Sequence, residues 1–157
     1  MSLLEQTREI NQLLQKTEKV DYSKVANLLS GFVGANVYLI GKEGEILGHA
    51  LHAGFECGIM LEDVLEQGKF PEEYMKALRS VRETTSNIRL NNRCCVFSEE
   101  LKCPVGEKYS LVVPVVGIGK RLGSLVIAKF HVEFSENDLV LAEYGATMLG
   151  MDMLRGN

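Results

Sequence analysis

No stretch of this sequence is long and apolar enough to cross a bilayer, and it does not open with a secretory signal, so a soluble cytosolic protein is expected. No run of lysine and arginine occurs, and the net charge is −4. Neutralising phosphates needs clustered cations, so the chain is not expected to bind nucleic acid by itself. The four cysteines, Cys57, Cys94, Cys95 and Cys103, contain no CxxC spacing. The three histidines, His49, His52 and His131, complete no zinc pattern. No metal site is expected, and in a reducing cytosol the cysteines are expected to be thiols. No Ser-His-Asp arrangement suggests itself. Glu72 and Glu73 are adjacent and cannot face one site as an acid–base pair. Internal repeats, low-complexity tracts and a clear domain boundary are all missing.

What is present is an ordinary globular composition, 46% apolar and 24% charged over 157 residues. That length suits one domain, able to bury about 70% of its unfolded surface. A first helix is expected over Ser2 to Lys16, with Ser2 and Glu5 as a capping box and Leu3, Leu4, Ile10, Leu13 and Leu14 on one face. A second should run from Asp21 to Phe32, with Tyr22, Val25, Leu29 and Phe32 inward, broken by Gly31 and Gly34. Asn36 to Gly41 and Glu45 to Leu51 form a hairpin about Lys42-Glu43-Gly44.

Residues 54 to 93 lack strand alternation. Ile59 to Gln67 looks helical and stops at Gly68, and Pro71 opens another helix through Tyr74, Ala77 and Leu78. Glu83 to Asn92 is polar and loop-like. Three strands follow: Cys94 to Phe97, Tyr109 to Val116 and Leu122 to Phe130. Pro114 argues for an edge or a bulge in the second.

The last helix carries its own start signal. Ser135 caps it, and Asp138 answers the cap three residues on. Ala142, Ala146 and Gly150 recur every four residues and form a ridge with almost no side chain. A glycine inside a helix costs about 1 kcal/mol against alanine, so Gly145 and Gly150 imply another backbone close by, in a sheet or a partner helix.

The expected fold class is therefore α+β. Strands joined by short turns make an antiparallel sheet. Helices from the two ends of the sequence share one face, and the helical and loop insertion covers the other. A sheet with such a lid is a natural small-molecule pocket.

Few residues invite chemistry. Gly117-Ile-Gly-Lys-Arg-Leu-Gly123 has the glycines of a phosphate loop but not its order, and a strand follows it rather than a helix; a hairpin is the better reading. Cys94, Cys95 and Cys103 read as small apolar residues before they read as a redox set. Phe70-Pro-Glu-Glu-Tyr74 suits a pocket wall, with Phe70 and Tyr74 toward an apolar ligand, as well as a hydrophobic staple. Met60, Leu61, Val64 and Leu65 have core spacing.

Taken together, Ser2-Leu-Leu…Thr7-Arg8…Asn11, Phe70-Pro-Glu-Glu-Tyr74, Glu83-Thr-Thr-Ser-Asn87, Arg121-Leu-Gly123 and Asn137 to Thr147 with Gly150-Met151 resemble the N-terminal ligand-sensing domain of the CodY family, nutrient-responsive transcription regulators of low-GC Gram-positive bacteria. The resemblance covers nearly the whole chain. It implies one GAF-type effector-binding domain over residues 1–157, a homodimer, and isoleucine, leucine or valine as effector with GTP as a second. In that family a winged helix-turn-helix domain follows and binds DNA, outside this chain. No catalytic residue is implied. Carried over by position, the amino-acid pocket comprises Met60, Leu61, Val64, Phe70, Pro71, Tyr74, Cys95, Phe97, Ser98 and Glu99.

Two positions depart from the pattern. Better-known relatives carry arginine where Met60 stands, gripping the ligand carboxylate, and threonine where Cys95 stands, near the amino group. Methionine cannot pair with a carboxylate. Arg82, Arg89, Arg93 and backbone N–H groups of residues 97–99 are the open alternatives. Some GAF-type domains instead reduce free methionine sulfoxide with cysteines, and a cysteine-dependent enzyme is the competing class.

Overall fold

The computed structural model describes residues 1–15, 19–55, 64–86 and 107–155. Two helices lead the chain, α1 (Leu3–Gln15) and α2 (Tyr22–Val33). The hairpin β1 (Asn36–Gly41) and β2 (Ile46–Ala50) follows. Then come α3 (Glu72–Ser80), the short β3 (Thr85–Ser86), the long hairpin β4 (Lys108–Gly117) and β5 (Lys120–Phe130), and α4 (Glu136–Arg155). The strands form one antiparallel sheet in the order β2-β1-β5-β4-β3.

Both helix starts read from sequence are present. Ser2 Oγ accepts from Glu5 N at 3.1 Å while Glu5 Oε1 accepts from the Ser2 hydroxyl at 3.0 Å. Ser135 Oγ accepts from Asp138 N at 3.1 Å, and Asp138 Oδ2 accepts from Ser135 N at 2.9 Å. Asp138 also pairs with Lys129 at 3.0 Å, tying the first turn of α4 to β5.

The helix stops differ in part. Gly34, at φ 71, ends α2, but Gly31 lies inside the helix and does not break it. Gly68, at φ 68, closes a turn in which its N–H reaches the Leu65 carbonyl and the Lys69 N–H reaches that of Val64. That pair of bonds is a Schellman-type ending and matches the expected stop. Leu4 is 56% exposed, because the step of about 100° from Leu3 carries it off the stripe that Ile10 and Leu14 bury.

The sheet is covered on both faces, as expected. Val37, Leu39, Leu111, Val113, Val115, Leu125 and Ile127 meet α1, α2 and α4. The alternate residues Tyr38, Ile40, Val112 and Val126 meet Val64, Phe70, Tyr74, Met75 and Leu78 from the insertion. Thr85–Ser86, expected as loop, pairs instead with Val112 and Leu111. Two polar residues have no alternation to betray a strand. Pro114 lies beyond this short pairing, and the register with β5 shifts one residue later, between Val115 and Val116.

The glycine-rich turn is a hairpin, not a phosphate cradle. Its two-residue loop is Ile118-Gly119, at φ 49 and φ 70, the primed geometry that suits the right-handed twist of the strands. One of the two positive φ values comes from an isoleucine, not from a glycine.

The small-residue ridge of α4 is spent within the protomer. Ala142, Ala146 and Gly150 are buried in the helix-side core. A Cβ on Gly150 would lie 2.5 Å from the Val116 carbonyl oxygen. Alanine at Gly150 gains about 1 kcal/mol of helix propensity but overpacks a backbone contact at about 1–3 kcal/mol, so the net effect is destabilising. Gly31, exposed and with nothing near its missing Cβ, is the opposite case. Gly31→Ala should raise, and Gly150→Ala lower, the free energy of unfolding in urea.

Candidate functional site

The insertion side of the sheet carries the candidate site. Phe70 is 1% exposed. Its ring lies edge-on to Tyr38 of β1, centroids 5.8 Å apart, and stacks on Tyr74 of α3 at 4.8 Å. Its backbone N–H donates to the Gly44 carbonyl at 2.9 Å, so the tip of the β1–β2 hairpin fixes where this aromatic enters. Val64, Met75 and Leu78 complete the apolar layer.

Of the ten residues carried over as ligand contacts, Val64, Phe70 and Tyr74 come together here. Pro71 is exposed and stands just before α3 at φ −62, the first helical residue being Glu72. It shapes the entry to the helix more than it lines an apolar surface. Met60, Leu61, Cys95, Phe97, Ser98 and Glu99 lie outside the described residues, as do all four cysteines, Arg89 and Arg93. Arg82 is described and exposed. No group of three or more His, Cys, Asp or Glu that could hold a metal occurs among the described residues.

Two polar anchors bracket the insertion. At its start, the buried Asn36 side chain accepts from His52 N at 2.8 Å and donates to the Phe55 carbonyl at 2.9 Å. Beyond α3, Arg121 of β5 donates to the carbonyls of Val81 at 2.6 Å and Leu78 at 3.2 Å. It also reaches Gly123 O and Ser124 Oγ, each at 2.8 Å. Burial pushes the guanidinium pKa below its usual value, yet arginine stays protonated in proteins. An exposed Glu72–Arg79 pair at 2.6 Å, with Arg79 also on the Lys42 carbonyl at 3.1 Å, joins α3 to the hairpin turn. The Arg79 hydrogen bond holds the Glu72 carboxyl below the usual glutamate range.

Sequence reasoning missed Tyr38 and Arg121 as parts of this region. Tyr38 had a signal: Val37 to Ile40 is apolar without alternation, which marks a strand covered on both faces. Arg121 stood in the matching run Arg121-Leu-Gly123, but nothing local pointed to α3, because its partners there are 40 and 43 residues away.

A separate groove of about 510 Å³ lies between α1 and α2, lined by Glu9, Gln12, Leu13, Lys24, Asn27 and Leu28. None of the expected ligand contacts lines it.

An antiparallel sheet with terminal helices on one face and an insertion over the other defines a GAF-like domain. The family model described as the CodY GAF-like domain matches residues 2–157, and the chain belongs to the CodY family. It is 46% identical over 156 residues to the global transcriptional regulator CodY of Clostridium perfringens, and equally so to that of Clostridium beijerinckii. Each match covers 98% of this chain and 60% of the relative, so the chain spans about three-fifths of their length. Among solved structures, the cofactor-binding GAF domain of the nutrient sensor CodY from Clostridium difficile superposes with TM-score 0.69 at 32% identity, covering 98% of this chain and 99% of that one. A bacteriophytochrome chromophore-binding domain from Stigmatella aurantiaca shares the fold at TM-score 0.64 and 11% identity, over 100% of this chain and 61% of that one. The relatives are named as transcriptional regulators, and the cysteine-dependent enzyme finds no support among them.

Because Phe70 is packed on two sides, Phe70→Ala should cost about 3–5 kcal/mol of stability. Pro71→Ala, at an exposed position, should stay within about 0.5 kcal/mol. Urea unfolding of the two variants measures both.

Proposed function

We propose that this chain is the effector-sensing domain of a CodY-type transcription regulator and that it binds a branched-chain amino acid beneath α3. Membership of the family supports this, as does likeness to the Clostridium difficile domain, a cofactor-binding GAF domain of a nutrient sensor. The observation that carries the reading is the aromatic pair Phe70 and Tyr74 held over an apolar sheet face. Burying a Val, Leu or Ile side chain contributes about 1.5–3 kcal/mol, enough to favour isoleucine, leucine or valine over alanine or a charged amino acid.

In this reading Val64, Phe70 and Tyr74 take the aliphatic side chain together with Met60 and Leu61, and Pro71 sets the entry of α3 beside them. Cys95, Phe97, Ser98 and Glu99 take the polar end, with backbone N–H groups of residues 97–99 as the carboxylate donors in place of the family's arginine. GTP is a second effector. The protein works as a cytosolic homodimer, and DNA is contacted by a winged helix-turn-helix domain of the kind the family carries. The ridge of α4 is not the dimer seat, since it is buried within the protomer.

Isothermal titration should show isoleucine binding, with weaker responses to alanine and glutamate. Met60→Arg should tighten isoleucine by restoring a charge partner for the carboxylate, by about tenfold, the worth of one charge-assisted hydrogen bond. Absence of heat with all three branched-chain amino acids would end this assignment.

A further inference from the structure

Arg121 stands at the second position of β5, directly after the hairpin turn, and reaches across to the end of α3. A guanidinium offers two forks of parallel N–H groups, Nε with Nη2 and Nη1 with Nη2. Both are engaged. The Nε and Nη2 edge holds Gly123 O and Ser124 Oγ, on its own strand. The Nη1 and Nη2 edge holds the carbonyls of Val81 and Leu78. Val81 is the C-cap of α3, and Leu78 lies in its last turn. The Val81 N–H already donates to the Leu78 carbonyl at 3.1 Å, so Arg121 adds a second donor there and one to the Val81 carbonyl, and a fixed cation suits the partial negative charge of a helix end.

The segment so held carries the pocket wall. Phe70 enters α3, and Tyr74, Met75 and Leu78 are its buried face. At the other end, Phe70 is fixed by the Gly44 carbonyl. The clamp at Arg121 therefore fixes the second end of the lid helix, and with it the height of the aromatic pair above Tyr38 and Val126.

We propose that Arg121 is the positioning residue of the ligand site, clamping the carbonyl end of α3 to β5 so that ligand affinity depends on a cation the ligand does not touch. This rests on the ligand site proposed above. With both forks committed to the protein, neither is open to a ligand carboxylate, so Arg121 does not join Arg82, Arg89 and Arg93 as a stand-in for the family's arginine at Met60.

The test uses Arg121→Gln, with Ser124→Ala as a milder variant that removes only the 2.8 Å bond to Nη2. Amide hydrogen exchange on ligand-free protein is read beside isoleucine titration. Arg121→Gln should speed exchange in Glu72–Ser80 by about tenfold, leave β1 and β5 unchanged, and weaken isoleucine by about tenfold, since bonds to a charged donor are worth about that factor each. Ser124→Ala should shift both quantities the same way by less. Weaker binding with unaltered ligand-free exchange would make Arg121 a direct ligand contact and overturn the proposal. Exchange accelerated throughout the sheet would make it a general structural residue and do the same. Wild-type protein that binds while Arg121→Gln binds equally well defeats this proposal alone; wild-type protein that binds no branched-chain amino acid defeats the site beneath it.

Discussion

Every part of this molecule answers to one constraint: its central strands are apolar on both sides. All six residues of β1 are buried, and so are Ser124 to Ala128 of β5. Neither face can be left to water. The terminal helices α1, α2 and α4 converge from the two ends of the chain to cover one face, which leaves the insertion to cover the other. Exposing Tyr38, Ile40, Val112 and Val126 would forgo about 1.5–3 kcal/mol for each large apolar side chain, comparable in total to the stability of a whole domain. The lid is thus part of the core. A ligand in the proposed site would compete with, or complete, packing that the fold already needs.

A core of this kind tolerates polar groups only where they are partnered, and the partnered ones sit at joints. Asn36 fixes the chain as it leaves β2, Lys129 and Asp138 fix the start of α4, and Arg121 fixes the end of α3. No buried side-chain nitrogen or oxygen among the described residues lacks a hydrogen bond. Such contacts contribute modestly when formed, but each leaves an unsatisfied group behind when broken. They set where the helices lie more than how tightly they are held.

Most local signals in the sequence read correctly, and the long-range ones did not. The capping pairs Ser2–Glu5 and Ser135–Asp138, the stops at Gly34 and Gly68, and the division of the sheet into two covered faces all follow from spacings of a few residues. Gly31 was misplaced because a glycine in a helix interior costs only about 1 kcal/mol, which the packing of Val25, Ala26 and Leu29 outweighs. Thr85–Ser86 was missed because a two-residue strand is defined by its partner and not by its own pattern. Ile118 was unforeseen because the hairpin imposes positive φ on both loop residues, and an isoleucine there signals nothing in sequence. At the candidate site the same boundary applies. Phe70 and Tyr74 were legible as a pocket wall in the local run from Phe70 to Tyr74, Val64 as a ligand contact only through the resemblance, whereas Tyr38 and Arg121 join the region only through the sheet.

The two cores are built from alternate residues of the same strands, and this gives the fold a physical route between its faces. Val116 pairs with Arg121 across β4 and β5. Arg121 holds α3 on the insertion side, while the Val116 carbonyl abuts Gly150 of α4 so closely that no Cβ fits between them. The lid helix and the C-terminal half of α4 are therefore three contacts apart, through Arg121 and Val116, on opposite faces of one sheet. A ligand shifts an equilibrium only by its differential affinity for the two states. For a ligand in the proposed site beneath α3, a change in how Arg121 and its strand sit is one route by which occupancy would bias α4. Close packing at Gly150 leaves little slack to absorb such a change, because interiors packed at crystal density transmit displacement where looser ones would damp it.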